Sequence, residues 1–153
     1  MLPADPDDDT HGEPPTEDLI RILVVDDEHS GRHALTELLR AEGYEVQSAA
    51  DGFKALGRIE RWQPDIVISD VKMPALGGME LMAKLREQQP DIAVIIMTAH
   101  GSVEGAVEAM RLGADDYLSK PIHLPQLLLL LERVIARRAL AREARALRST
   151  LGE

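Results

Sequence analysis

The amino-acid sequence predicts a doubly wound α/β fold, in which a five-stranded parallel sheet carries helices on both faces and the last helix is extended. Two observations lead to this class. From Ile20 onward, short apolar runs alternate five times with stretches of helical periodicity. Three of those runs, 22–25, 66–68 and 93–97, are almost wholly apolar, which is typical of parallel strands covered by helices on both sides. The order of the strands in the sheet does not follow from the sequence.

The five strand–helix pairs are read directly from the chain. The predicted strands are, in order, Ile22–Val25, Tyr44–Ala49, Ile66–Ile68, Ala93–Met97 and Asp116–Ser119. Apolar residues spaced three or four positions apart predict the helices between them, namely Ala34, Leu35, Leu38 and Leu39, then Ala55, Leu56 and Ile59, then Leu81, Met82 and Leu85, then Val103, Ala106, Val107 and Met110. Gly43 is placed to end the first helix. A long helix starts near Pro125 and runs toward the C-terminus. Its predicted buried face carries Leu124, Leu127, Leu128, Leu131, Val134 and Ile135.

The two ends of the chain differ from this pattern. Residues 1–18 contain seven acidic residues, four prolines and no Lys or Arg, and this composition predicts a disordered acidic tail. An acidic docking segment is the alternative interpretation. We expect one folded domain over residues 19–138, and a helical extension or linker over residues 139–153.

Composition excludes several classes of function. The net charge is −10, or −3 once the seven acids of the tail are removed, so nothing indicates direct binding to nucleic acid. The absence of cysteine excludes disulfides and thiolate-bound zinc. We find no signal peptide, and the longest strongly apolar run, Leu127–Leu131, is far too short to span a membrane. We therefore expect a cytoplasmic protein without membrane association.

Polar residues stand where the predicted strands end. Asp26 and Asp27 follow the first strand, Asp70 ends the third, Thr98 follows the fourth and Lys120 follows the fifth. Each residue alone has an ordinary explanation as a turn, capping or loop residue. Because the carboxyl ends of parallel strands meet at one edge, four separate segments deliver these side chains to the same place.

The residue types at this edge favour phosphoryl transfer. Three neighbouring carboxylates repel one another unless a cation compensates, and an all-oxygen site of this charge suits Mg²⁺. An ammonium group and a hydroxyl beside the metal would complete a site for a dianionic phosphoryl group. The sequence therefore predicts a Mg²⁺-dependent phosphoryl site.

Four motifs in order resemble those of the receiver domains of two-component response regulators. They are Ile22–Glu28, Pro64–Pro74 followed by Gly77–Leu81, Met97–Gly101, and Gly113–Pro121. The similarity runs from about Ile20 to Arg138, and the Thr98–Gly101 segment resembles the NtrC-like class. The resemblance implies a flavodoxin-like (βα)5 fold and a part in a phosphorelay.

The resemblance also implies roles for individual residues. Asp70 would accept a phosphoryl group from a sensor histidine kinase. Mg²⁺ would be bound by Asp27 directly, by Asp26 through water, by Asp70, and by the backbone carbonyl of Lys72. The protein would catalyse only its own phosphorylation and dephosphorylation, and would not be an enzyme acting on other substrates.

The remaining implied roles concern the response to phosphorylation. Lys120 would pair with one phosphoryl oxygen, and Thr98 would hydrogen-bond another. Tyr117 would be the switch aromatic that turns inward as Thr98 moves. The surface formed by the fourth helix, fifth strand and fifth helix would then change and control an output partner or domain that regulates transcription.

The end of the last helix suggests a partner of its own. Leu140, Ala144, Leu147 and Leu151 have the a/d spacing of a coiled coil over barely two heptads. In NtrC-like receivers such a helix helps to form a homodimer, and we expect the same here. Arginines interleave with these residues, and we interpret them as a solvated face.

Two other functions fit part of the pattern. A phosphatase of the haloacid-dehalogenase type also uses aspartates, a Lys and Mg²⁺ on a doubly wound sheet. Its nucleophile, however, lies after the first strand in an Asp-x-Asp arrangement, whereas Asp26 and Asp27 are adjacent. A pseudo-receiver that serves as a scaffold would have lost an acidic or Lys position, and none is lost here.

Overall fold

The computed structural model describes residues 19–151. The predicted acidic tail therefore lies outside the described residues. The strands are β1 Arg21–Val25, β2 Glu45–Ala49, β3 Ile66–Asp70, β4 Ala93–Thr98 and β5 Asp116–Ser119, and the helices are α1 His29–Ala41, α2 Gly52–Trp62, α3 Gly78–Gln88, α4 Val103–Arg111 and α5 Leu124–Thr150. Each predicted strand and helix is confirmed, and the ends of the strands agree with the prediction to within two residues. The chain divides into two compact units, one ending at Lys120 and the other beginning at Pro121.

The first unit holds the sheet, whose strand order is β2-β1-β3-β4-β5, with every pairing parallel. Ile66 pairs with Ile22 on one side and with Ala93 on the other. The chain therefore winds outward from β1 to β2, and then crosses to β3 and continues in the other direction. The switch point between β1 and β3 is where α/β sheets of this order bind ligands. The five-stranded doubly wound, flavodoxin-like class is confirmed.

Alternation along the strands gives the sheet two apolar faces. One face, with Leu23, Val67 and Ile96, belongs to a buried cluster that includes Ile59 of α2 and Leu81 of α3. The opposite face carries the alternate strand residues, and α1 packs against β1 and β2. Strands buried on both faces explain why the sequence shows continuous apolar runs here.

Two predicted apolar helix faces are only partly buried. In α1 the side chains of Leu35 and Leu39 are buried, but Leu38 is 46% exposed. In α4 the buried residue is Ala109, whereas Val103 is 80% exposed and Val107 is 61% exposed. The small Ala109 lets the α4 backbone come close to its neighbours, and the larger apolar side chains therefore point to solvent. The helical periodicity was the right prediction for α4, but its apolar stripe is not a core face.

The second unit consists mainly of α5, which changes character along its length. Leu127, Leu131 and Val134 are buried as predicted, and Leu130 is buried as well. The other three residues of the predicted face, Leu124, Leu128 and Ile135, are only partly buried. From residue 139 to residue 150 every side chain is exposed. Within residues 19–151, no helix has the length and apolar character needed to cross a membrane.

Candidate functional site

Three carboxylates meet at the carboxyl edge of the sheet. Asp26 and Asp27 directly follow β1, and Asp70 is the last residue of β3, the strand paired with β1. One oxygen from each of them lies within 4.8 Å of the others. Asp26 and Asp70 are buried, whereas Asp27 is exposed and leaves the cluster open to solvent. The structure thus brings together the three aspartates that the sequence predicted.

Lys120 closes the cluster from the end of β5. Its Nζ donates hydrogen bonds to Asp26 Oδ2 at 2.9 Å and to Asp70 Oδ2 at 2.7 Å. Partial burial of the ammonium group acts to lower the pKa of Lys120, but the hydrogen bonds and charges of Asp70 and Asp26 outweigh it, so this pKa lies above its ordinary value. Lys120 therefore carries a full positive charge at neutral pH.

Thr98 is the last residue of β4 and not, as predicted, the first residue after it. Its side chain is buried, and its Oγ1 accepts a hydrogen bond from the backbone N–H of His100 at 3.1 Å. The backbone N–H of Lys120 donates to Thr98 O at 2.7 Å, which fixes the two predicted phosphoryl-binding residues side by side. Tyr117, further back on β5, is half-buried against the core cluster.

Local turns orient the two buried aspartates. Asp26 Oδ1 accepts from the backbone N–H of Glu28 at 3.0 Å, and Asp70 Oδ1 accepts from that of Lys72 at 3.2 Å. The second oxygen of each carboxylate is thereby turned toward Lys120. Aspartate side chains commonly accept a hydrogen bond from the backbone N–H two residues later, and this bond fixes the orientation of each carboxylate at the end of its strand.

Arg32 is a site residue that the sequence did not reveal. From the first turn of α1, its Nη1 donates to the backbone carbonyl of Asp26 at 2.9 Å and its Nη2 contacts His29 Nδ1 at 3.1 Å. It fixes the chain at the point where β1 ends and the acidic pair begins. Its position six residues after Asp26 was the only available signal, and an arginine in solvent would have the same signature.

Gly78 holds the other side of the site together. The first residue of α3, it lies so close to the backbone carbonyl of Asp70 that a Cβ there would overlap it, and its N–H donates to Val71 O at 2.9 Å. The glycine lets the helix start directly beneath the end of β3. The sequence motif contained Gly78, but its contact with Asp70 was not predicted.

The donor set fits a hard divalent cation. All three candidate side chains offer oxygen, and three carboxylates with one ammonium leave a local charge of −2. Oxygen-only ligands with room for water are what Mg²⁺ requires. The Lys72 carbonyl as a further ligand stays a prediction.

The chain is a doubly wound α/β protein with strand order 2-1-3-4-5, and it carries an acidic cluster with a lysine across it at the carboxyl edge of the sheet. The family profile described as "Response regulator receiver domain" matches residues 22–132. The chain therefore belongs to the response regulator receiver domain family.

Individual relatives agree with this assignment. The regulatory protein AtoC of Escherichia coli K12 is 37% identical over 131 residues, which are 86% of this chain and 28% of AtoC. The response regulator MprA of a Mycobacterium species (strain KMS) is 42% identical over 118 residues, covering 77% of this chain and 51% of MprA. The chain thus spans about half of MprA. The relatives include regulators of both the NtrC and the OmpR types, so the resemblance to response-regulator receivers is confirmed.

Solved structures are similar over the same region. A receiver domain protein from Clostridium thermocellum is 36% identical with a TM-score of 0.76, covering 80% of this chain and 99% of that protein. NtrX from Brucella abortus, solved with ADP, is 35% identical with a TM-score of 0.81, covering 88% of this chain and 30% of NtrX. Both similarities support the fold and the family.

Proposed function

We propose that the chain accepts a phosphoryl group on Asp70 from a sensor histidine kinase and catalyses only the making and breaking of that bond. The observation that carries this proposal is the position of Asp70 Oδ2, 2.7 Å from Lys120 Nζ and next to Asp26 and Asp27. A carboxylate oxygen that lies beside an ammonium group in a solvent-open site can act as a nucleophile toward a phosphorus atom.

The residues of the site divide the chemistry between them. An Asp70 carboxylate oxygen attacks phosphorus, the bond from phosphorus to the imidazole nitrogen of the donor breaks, and that nitrogen keeps the electron pair. Lys120 then offers its ammonium to a phosphoryl oxygen, and the Thr98 hydroxyl can donate to another. Asp26, Asp27, Asp70 and the Lys72 carbonyl would hold Mg²⁺, which would neutralise charge on the phosphoryl oxygens.

Mass measurement on the intact protein tests this assignment. Incubation with acetyl phosphate and Mg²⁺ should add one phosphoryl group to the parent and none to Asp70→Asn. Asp65→Asn is the matched control, because Asp65 lies at the opposite end of β3. Labelling that survives in Asp70→Asn but is lost in Asp26→Asn would instead favour the phosphatase of the haloacid-dehalogenase type. A parent that never labels would favour the pseudo-receiver.

We further propose that phosphorylation changes the surface formed by α4 and β5 and so controls a transcriptional output. Thr98 ends β4 directly before the loop that leads into α4, and Tyr117 lies on β5. The exposed apolar side chains of Val103 and Val107 on α4 support a surface that another protein segment recognises.

We propose that the exposed end of α5 binds a second copy of the chain. This end belongs to the extension that the sequence predicts beyond the domain 19–138. Leu140, Ala144, Leu147 and Leu151 are exposed at a/d spacing. This heptad register puts Glu143 at g and Arg148 at the following e position, which face each other between chains in a parallel pair.

Charge exchange tests this homodimer by sedimentation. Glu143→Arg should weaken association because it opposes Arg148 of the second copy, and the double variant Glu143→Arg with Arg148→Glu should restore it. A parent that stays monomeric at high concentration, or a double variant no better than the single one, would contradict the proposal.

A further inference from the structure

Gly105 stands one turn into α4, beneath the side chain of Tyr117. A Cβ at this position would lie 2.8 Å from Tyr117 Oη and 3.0 Å from Ser102 Oγ. Carbon and oxygen atoms that are not bonded do not approach to 2.8 Å without a shift. The tyrosine hydroxyl therefore occupies space that any other residue at position 105 would fill with its own Cβ.

The helix itself gives no reason for a glycine here. Glycine is less favourable than alanine within a helix, and the α4 start is already capped by Ser102, whose Oγ accepts from the Gly105 N–H at 2.9 Å. The φ angle of Gly105 is not in the left-handed region that favours glycine. The atom that a side chain at position 105 would meet first is thus Tyr117 Oη, which would have to shift to make room for it.

A second helical glycine provides the contrast. Gly57 lies within α2, and a Cβ there would meet only the end of the Arg61 side chain, at 3.7 and 3.9 Å. Those are ordinary van der Waals distances to a flexible group. Alanine is therefore compatible with position 57 and incompatible with position 105 while Tyr117 keeps its place.

We propose that Gly105 is a positioning residue for the switch. Because it has no side chain, it leaves the space in which Tyr117 lies against α4 in the unphosphorylated protein. The proposal rests on the function proposed for Asp70, since it concerns how that site is regulated. A methyl group at position 105 raises the free energy of the conformation in which Tyr117 lies against α4. The population of molecules therefore shifts toward the conformation that phosphorylation favours. The identity of residue 105 then sets how readily the domain responds.

The position of Tyr117 can be observed without any phosphorylation. The chain has two tyrosines, Tyr44 and Tyr117, so tyrosine labelled with ¹³C at Cζ gives two NMR signals, and Tyr44→Phe leaves that of Tyr117. In the unphosphorylated protein we expect Gly105→Ala to move the Tyr117 signal toward the position it takes in the parent with beryllofluoride, a phosphoryl mimic. Gly57→Ala should leave this signal unchanged.

The rate of labelling by acetyl phosphate gives an independent readout. We expect Gly105→Ala to raise the initial rate of labelling roughly fivefold. The reason is that a larger fraction of the variant is already in the conformation that phosphorylation favours. Tyr117→Phe removes the oxygen that the methyl group meets, and the next ring atom would lie 3.6 Å from it. In the Tyr117→Phe background, Gly105→Ala should therefore leave the rate nearly unchanged.

The outcomes separate this proposal from the function on which it rests. An unmoved Tyr117 signal in Gly105→Ala, or an equal rate change with and without the tyrosine hydroxyl, would overturn the role of Gly105. If Gly105→Ala alone fails to fold, the proposal requires that Tyr117→Phe restores folding, and failure of that rescue overturns it too. A parent that takes no phosphoryl group would refute the proposed function, while the NMR comparison would still decide the contact between Gly105 and Tyr117.

Discussion

Aspartates lie at both ends of the sheet, but their carboxylates are engaged in different ways. At the amino edge, Asp65 precedes β3 and Asp115 precedes β5. Asp65 Oδ2 accepts from the backbone N–H of Arg21 at 2.9 Å, and Asp115 Oδ2 accepts from that of Val94 at 2.8 Å. Each carboxylate thus joins the start of a neighbouring strand to its own loop.

At the carboxyl edge the partner is a side chain that can move. Asp26 and Asp70 each direct one oxygen to Lys120, and Asp27 adds a third carboxylate with its side chain in solvent. A backbone N–H stays in place as long as the strand exists, whereas an ammonium on a flexible stem can follow a new anion. Asp26 and Asp70, which we propose to be functional, therefore differ from Asp65 and Asp115 because they accept from a mobile ammonium group as well as from a backbone N–H.

The largest effect that we predict is on the rate of phosphorylation. Asp27→Asn should lower the rate of labelling by acetyl phosphate about 100-fold, because a ligand of the divalent cation is lost. Asp65→Asn should label at nearly the parental rate, although it removes an aspartate from the same sheet. Time courses of intact mass at several Mg²⁺ concentrations would measure both. Similar losses in the two variants would mean that the two edges do not differ in function.

Stability should respond in the opposite way. Asp115→Ala removes the acceptor of the Val94 N–H, and the free energy of unfolding should fall by about 2 kcal/mol, as for other hydrogen bonds to charged groups. Urea unfolding followed by circular dichroism measures this change, and the labelling rate of the folded variant should stay near that of the parent. An unchanged urea midpoint would show that water replaces the Asp115 carboxylate without loss of stability, and would contradict the structural role of Asp115.

The sequence predicted the carboxyl edge better than the amino edge. The sequence revealed these residues because each of them ends or follows a predicted strand, and parallel strands must bring their carboxyl ends together. They are Asp26, Asp27, Asp70 and Lys120. Asp65 and Asp115 also adjoin strands, but their partners are backbone atoms that lie 44 and 21 residues earlier in the chain. The strand order decides those partners, and it did not follow from the sequence.

Contacts between distant residues set the same limit elsewhere. The apolar spacing of α4 predicted a helix, but periodicity does not tell which side of it meets the sheet, and Val103 and Val107 proved to be exposed. Gly105 looked like an ordinary helix position until the structure placed Tyr117 Oη above it. Motifs report chemistry that every such site needs, whereas these contacts depend on the sizes of particular side chains.

The smallest predicted effect concerns the repulsion between the carboxylates at the carboxyl edge. Without divalent cations and at low salt, Asp27→Asn should raise the free energy of unfolding by about 0.5 kcal/mol, because it removes repulsion from Asp26 and Asp70 while Lys120 keeps both partners. Glu87→Gln makes the same change in net charge on an exposed part of α3 and should have a smaller effect. The difference between the two variants should shrink at high salt, which screens exposed charges. If Glu87→Gln stabilises the protein equally, the gain comes from the overall charge of −10, and the cluster at the carboxyl edge is not strained by its own carboxylates.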